Sequence, residues 1–246
     1  MKRIALGVMG ELGDMVLDFL VKQDVEIVGV DTRVDRECHK NCGSKIKELG
    51  LPAKSYEQIV ALKPDIFFSI YYLKIIGKEL LDACLVVNLH SSGLPKYRGR
   101  NGFAHSIQNN DLMHTVTLHL VDEGIDTGDI IAERNELISI SDTSKTLYDR
   151  MQFIAYKMFI EEFPKIIDGN YERRNQTGEP RYYGKNLDKL VDLKSNPLDI
   201  YNKIRSLDFP PYEPAYYLEN EQKKYITMKD VDYDIYTNTI RLRGVS

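Results

Sequence analysis

Apolar residues along this chain follow two spacings. Compact runs rich in β-branched and aromatic residues occur at Arg3 to Val8, Val25 to Val30, Asp65 to Ile70 and Cys84 to Val87, each bounded by glycine, proline or polar residues. Runs of that length with that punctuation predict buried strands. Between them the apolar positions recur at helical spacing. Met15, Val16, Phe19 and Leu20 mark one helix; Lys45 to Leu49 and Ser55 to Ala61 mark two shorter ones, the last with Ser55 as its N-cap. Strand alternating with helix predicts an α/β fold: a Rossmann-like, doubly wound, mainly parallel sheet.

The pattern then changes. Asn101 to Gln108 reads as a helix, and Thr115 to Val121 and Asp129 to Glu136 as strands, the first alternating apolar and polar. Asp142-Thr143-Ser144 is a cap signal for a long amphipathic helix, Lys145 to Ile167. Its Leu147, Met151, Ile154, Ala155, Met158 and Phe159 form one core-facing stripe. Asp168-Gly169 stops it, and Pro164 predicts a kink or an early end. Beyond Tyr171 the chain shifts toward tyrosine, asparagine and charge. There Pro197 to Leu207 reads as a short helix, and the segments around Tyr216-Tyr217-Leu218 and Tyr225-Ile226 as a terminal β-hairpin. The expected division is a catalytic domain over residues 1–178 and an extension over residues 179–246.

At 246 residues, 43% apolar and 28% charged, the chain is long enough to bury a full core and is not disordered. Its formal charge of −4 argues against phosphate-backbone binding, so no nucleic-acid partner is expected. No apolar run reaches membrane length and no signal-peptide core is visible, so the expected location is cytoplasmic with no membrane partner. Asn175-Gln176-Thr177 matches a glycosylation sequon, which has no meaning without secretion. Three cysteines make no disulfide framework, and Cys38-His39-x-x-Cys42 lacks a second ligand pair, so it reads as a polar loop and no metal is expected.

Two stretches offer chemistry. The first is Gly7-Val8-Met9-Gly10-Glu11-Leu12-Gly13, between a strand and a helix, with Asp31 ending the next strand. The arrangement imitates a dinucleotide fingerprint, but its spacing is G-x-x-G-x-x-G rather than G-x-G-x-x-G. The favoured reading is therefore glycines serving a tight strand-to-helix turn. A phosphate at the helix N-terminus, near Met9 and Gly10, stays open, and an NAD-binding oxidoreductase or sensor is the rival from another class.

The second stretch runs from Val86 to Asp129. Asn88 and His90 stand two apart at a strand end, so they point the same way. An amide donor beside an imidazole suits a reaction in which a carbonyl oxygen gains charge: the amide stabilises the oxyanion and the imidazole moves a proton. The acidic, turn-rich loop after Val121 can return a carboxylate toward His90, and Asp126, between Gly124 and Gly128, is best placed. On its own residues, His119 reads as a packed or hydrogen-bonded histidine near the site.

Asn88-Leu89-His90-Ser91-Ser92-Gly93-Leu94-Pro95-Lys96-Tyr97-Arg98-Gly99, followed by Asp122-Glu123-Gly124-Ile125-Asp126-Thr127-Gly128-Asp129, resembles the folate-dependent formyltransferase family. The likeness is strongest over Phe67 to Asp129 and continues from Met1 to about Tyr171. It is closest to the short nucleotide-sugar N-formyltransferases, with Gly93 standing where the family carries a larger apolar residue. The resemblance implies Asn88, His90 and Asp126 as catalytic residues and N10-formyltetrahydrofolate as co-substrate. It places Ile76, Asp122, Gly124 and Ile125 at the folate, and makes Tyr71, Tyr72, Lys78, Arg98, Met9 and Gly10 candidates for substrate contacts. It further implies a nucleotide-linked amino sugar as acceptor, such as a dTDP-4-amino-4,6-dideoxyhexose, a place in lipopolysaccharide O-antigen biosynthesis, and a homodimer through the C-terminal hairpin. Within the same family an aminoacyl-tRNA or a purine precursor is the alternative acceptor.

Overall fold

The computed structural model describes residues 1–32 and 41–243. Its elements are, in order, β1 (Lys2–Val8), α1 (Gly10–Leu20), β2 (Val25–Thr32), α2 (Gly43–Glu48), α3 (Tyr56–Leu62), β3 (Ile66–Ile70), α4 (Lys78–Leu81) and β4 (Leu85–His90). Then come β5 (Arg98–Gly99), α5 (Gly102–Gln108), β6 (Met113–Leu120), β7 (Ile130–Leu137), α6 (Ser144–Asp168) and β8 (Tyr182–Tyr183). The extension supplies α7 (Pro197–Leu207), β9 (Ala215–Glu219), β10 (Gln222–Ile226), β11 (Val231–Asp234) and β12 (Thr239–Leu242).

Six strands form the main sheet in the order β2-β1-β3-β4-β6-β7. The first four are mutually parallel, as the strand–helix alternation predicts. β6 runs antiparallel to β4, and β7 antiparallel to β6 and so again in the direction of the first four; the sheet is mixed, and the reversed strand lies next to β4. β3 shows why these runs become central strands. Phe68 and Ile70 join the core under α1 and α6, while Phe67 joins the second core under α3 and α4. A strand apolar on both faces needs cover on both faces.

Local signals fix the helix ends. Ser55 and Gln58 form a reciprocal capping box at α3, and Thr143 and Thr146 another at α6. α6 runs through Pro164 to Asp168 and closes on Gly169 in the left-handed region (φ 73°), so the expected early end does not occur. Phe159, Phe163 and Ile166, all buried, hold its last turns on the sheet and on Phe19 and Phe68.

The glycine-rich turn has its own reasons. Gly10 sits at φ +70°, and a Cβ on Gly7 would fall 2.5 Å from the Tyr72 ring. The Tyr72 hydroxyl donates to the Asp31 carboxylate. Asp31, the acidic strand end of the fingerprint, is thus held by a tyrosine of the same chain. Cys38 and His39 lie outside the described residues; Cys42 is buried behind α1, its thiol 3.4 Å from the Gly10 carbonyl oxygen.

The extension carries a small core of Val191, Ile200, Ile204, Leu207, Ala215 and Ile226. The hairpin β9–β10 forms as expected, and α7 covers its apolar face. A second hairpin, β11–β12, follows, with Tyr233 stacked on Tyr201 at 4.5 Å. α7 docks on the body through Ser206, bonded to Gln108, and through Arg205, which donates to the Ser139 and Asp142 carbonyls.

Candidate active site

The sheet reversal assembles the site. Asn88 and His119 are direct cross-strand partners in the antiparallel β4–β6 pair, and His90 lies opposite Thr117. His119 donates its Nδ1–H to the Leu120 carbonyl at 2.6 Å, which leaves Nε2 as an acceptor. The Asn88 amide donates to that nitrogen at 3.0 Å. One N–H of Asn88 is thereby fixed, and the amide's second N–H is left to face a ligand.

His90 is tied to a backbone carbonyl. Its Nε2–H donates to the Tyr97 carbonyl at 2.9 Å, so this backbone oxygen sets the tautomer, not Asp126. Nδ1 is then the unprotonated nitrogen, and it faces Asp126 Oδ1 at 3.6 Å. The carboxylate lies at the same 3.6 Å from His119 Nε2. A proton on His90 Nδ1 would place a positive charge beside this carboxylate. Burial lowers the pKa of His90 below that of an ordinary histidine; Asp126 pulls the other way and is outweighed. Burial also raises the Asp126 carboxyl, but the two histidines and the Gly99 N–H together bring it down to about 2.

Asp126 stands at φ +53°, in the left-handed region that aspartate tolerates better than most side chains. Its Oδ2 accepts from the Gly99 N–H at 2.8 Å. The loop before it is an Asx turn: Asp122 Oδ1 accepts from the Gly124 N–H at 3.1 Å and from the Thr127 hydroxyl. His90, His119 and Asp126 offer ligand atoms within 4.8 Å of one another, enough to hold a metal ion. Such an ion would compete with the Asn88 amide for His119 Nε2.

A cleft of about 1230 Å³ opens over this set. Asn88, His90, Asp126, Ile76, Asp122, Gly124, Ile125, Tyr71, Tyr72 and Met9 all line it. Gly10, Lys78 and Arg98 do not. Lys78 is an exposed side chain paired with Asp82 and Glu123, each at 3.1 Å. Arg98 turns away and grips the Gln176 side-chain oxygen through Nε (3.1 Å) and Nη2 (2.7 Å). The arginine in the cleft is its neighbour Arg100.

Sequence reasoning also missed the far wall. Phe103, Tyr148, Phe209 and Tyr212 form a chain of ring contacts there, and Lys185, Lys189 and Lys223 stand beside them. The Tyr71 hydroxyl is buried at this end without a hydrogen-bond partner, and burial raises its pKa. Tyr71 itself sits at φ +51°, an outlier for an aromatic residue and a common mark of a functional site.

Comparisons with known proteins agree with this geometry. The family model described as Formyl transferase matches residues 44–163. A methionyl-tRNA formyltransferase of Lactobacillus johnsonii is 30% identical over 227 residues, covering 84% of this chain and 72% of the relative. Among solved structures, the sugar 3N-formyl transferase WlaRD, in the presence of dTDP and 5-N-formyl-THF, superposes with a TM-score of 0.78 at 25% identity, covering 96% of this chain and 90% of that one. The Helicobacter canadensis N-formyltransferase, in complex with folinic acid and dTDP-3-aminofucose, gives a TM-score of 0.77 at 26% identity, covering 91% and 86%. The chain belongs to the formyltransferase family. Its chemistry is formyl transfer. No helix among the described residues is long and apolar enough to cross a membrane.

Proposed function

We propose that the enzyme is an N-formyltransferase that moves the formyl group of N10-formyltetrahydrofolate to the amine of a nucleotide-linked amino sugar. The neutral amine attacks the formyl carbon, and the free N–H of Asn88 meets the oxygen as it gains charge. His90 Nδ1 takes the proton that the amine nitrogen loses, and Asp126 and the Tyr97 carbonyl support the imidazolium. The C–N10 bond then breaks, N10 receives the proton, and the products are a formamide and tetrahydrofolate. Residues 1–178 act as the catalytic unit.

The cleft carries the choice of acceptor. A single small-molecule site measures about 300–1,000 Å³, and this one exceeds that range, so it has room for two ligands. One end, at Ile76 and the 122–125 loop, suits the pterin. The other, with its ring contacts and lysines, suits a base and a diphosphate. The unpartnered Tyr71 hydroxyl is a ready donor to the sugar or phosphate. The net charge of −4 favours this acceptor over a tRNA. The two superposed N-formyltransferases, solved with dTDP or a dTDP-sugar, support the reading.

The test is a mass-spectrometric assay with N10-formyltetrahydrofolate, offering dTDP-, UDP- and GDP-linked amino sugars beside methionyl-tRNA. A formylated nucleotide sugar is expected; formylated tRNA with no sugar product overturns the proposal. A homodimer through the hairpin belongs to the same reading. Leu218 and Tyr225, each 54% exposed, remain on its open face after α7 has covered the other. Light scattering at micromolar concentration should give twice the chain mass, and the single-chain mass refutes the dimer.

A further inference from the structure

We propose that Gln176 is a positioning residue for the Asp126 carboxylate: its amide, oriented by Arg98, pins the Asp126 turn in the left-handed conformation that places Asp126 between His90 and His119. The inference rests on the assignment of Asp126 to formyl transfer.

Gln176 lies on the strap that follows α6. Among residues 172–180 it alone is not exposed. The strap is fixed two residues earlier, where Arg174 and Ile130 exchange both backbone hydrogen bonds, at 2.8 and 2.9 Å. From that anchor the Gln176 Nε2 group donates to the Asp126 carbonyl at 2.9 Å and to the Gly128 carbonyl at 2.8 Å. Both hydrogens of one NH₂ thus span the turn that carries the carboxylate. The Gln176 oxygen takes two bonds from Arg98, so the guanidinium, which has only donors, dictates which end of the amide faces the turn.

The next residue closes the circuit, since Gly99 N–H binds Asp126 Oδ2 at 2.8 Å. Backbone and side chain of Asp126 are therefore held from opposite sides, through Gln176 and Gly99. A left-handed aspartate persists only where its surroundings over-determine it. With the donor pair removed, the turn is free to relax and the carboxylate to leave the 3.6 Å positions beside both histidines.

Two substitutions separate positioning from mere packing. Gln176→Ala removes every contact. Gln176→Glu keeps an acceptor for Arg98 but has no N–H for the two carbonyls. Assayed with N10-formyltetrahydrofolate and a dTDP-linked amino sugar, both are expected to lower kcat by roughly 10- to 100-fold, with sugar KM within about twofold, as small misplacements of a catalytic group do. Imidazole NMR of the full chain supplies a readout that needs no substrate turnover. The His90 midpoint should fall in Gln176→Ala in the same direction as in Asp126→Asn. Near-normal kcat in Gln176→Glu, or an unmoved His90 midpoint in Gln176→Ala, overturns the inference while Asp126→Asn stays impaired. Normal turnover in Asp126→Asn instead removes Asp126 from the reaction, and the inference with it.

Discussion

The two walls of the cleft are built by opposite means. The wall with the proposed catalytic set stands on the main sheet: His90 and His119 are buried, each ring is fixed by a backbone carbonyl, and one N–H of Asn88 is fixed on His119. The far wall comes partly from the extension. It rests on a core of six buried side chains and presents aromatic rings and lysines, two of which, Lys189 and Lys223, pair with Glu213. A proton-moving set needs fixed geometry, which buried hydrogen bonds enforce. An acceptor pocket needs area and charge, which a smaller module attached by α7 can supply and vary.

Changing the catalytic wall should cost the most. His90→Asn or Asn88→Ala is expected to lower kcat by about 10²–10³, the usual loss of an oxyanion donor or of the base, with little change in sugar binding. Steady-state kinetics beside a direct binding titration decides this; an effect confined to KM would erase the contrast. Next comes the foundation of the other wall. Ile204→Ala empties a fully buried site in the extension core and should cost about 2–5 kcal/mol. Hydrogen exchange should rise over α7 and β9–β10 while β1 to β4 stay protected. Uniform loosening would show that the two walls unfold as one.

A smaller effect is expected at the far wall's surface. Tyr212→Ala removes an aromatic contact with Phe209, worth about 1 kcal/mol, so the nucleotide-sugar KM should rise several-fold to tenfold with kcat nearly unchanged. Loss of kcat alone would move Tyr212 into the chemistry. The mildest test is pH. His90 is lowered by burial, so its base form fills at a pH below the ordinary ~6.5. The His90 limb of kcat/KM should therefore fall only on the acid side of ~6.5 and lie flat above it. A midpoint above ~6.5 would mean that Asp126 outweighs burial.

That last outcome separates what the sequence shows from what it hides. Asn88, His90 and Asp126 are legible because a strand period and a turn signal bring them together, and the cleft does unite them. The balance between burial and Asp126 at His90 is invisible in one dimension, as is the Tyr97 carbonyl that sets the tautomer. Arg98 is a candidate for substrate contact only through the family resemblance. Its partner Gln176, 78 positions away, carries no local signal. The parallel half of the sheet follows from strand–helix alternation, but Pro164 misleads, because packing by Phe159 and Phe163 overrides its preference. The hairpin β11–β12 goes unread because its alternation is short and mostly polar.

The pairing of Asn88 with His119 has one more consequence. These two side chains meet because β4 and β6 are in one particular alignment. A slip of a single residue would send every β6 side chain to the opposite face. Catalytic competence is in this sense a reading frame. Many substitutions along β6 leave the frame intact, whereas a one-residue deletion in the 109–112 turn that shifted it would part Asn88 from His119 with Asn88, His90, His119 and Asp126 all still present.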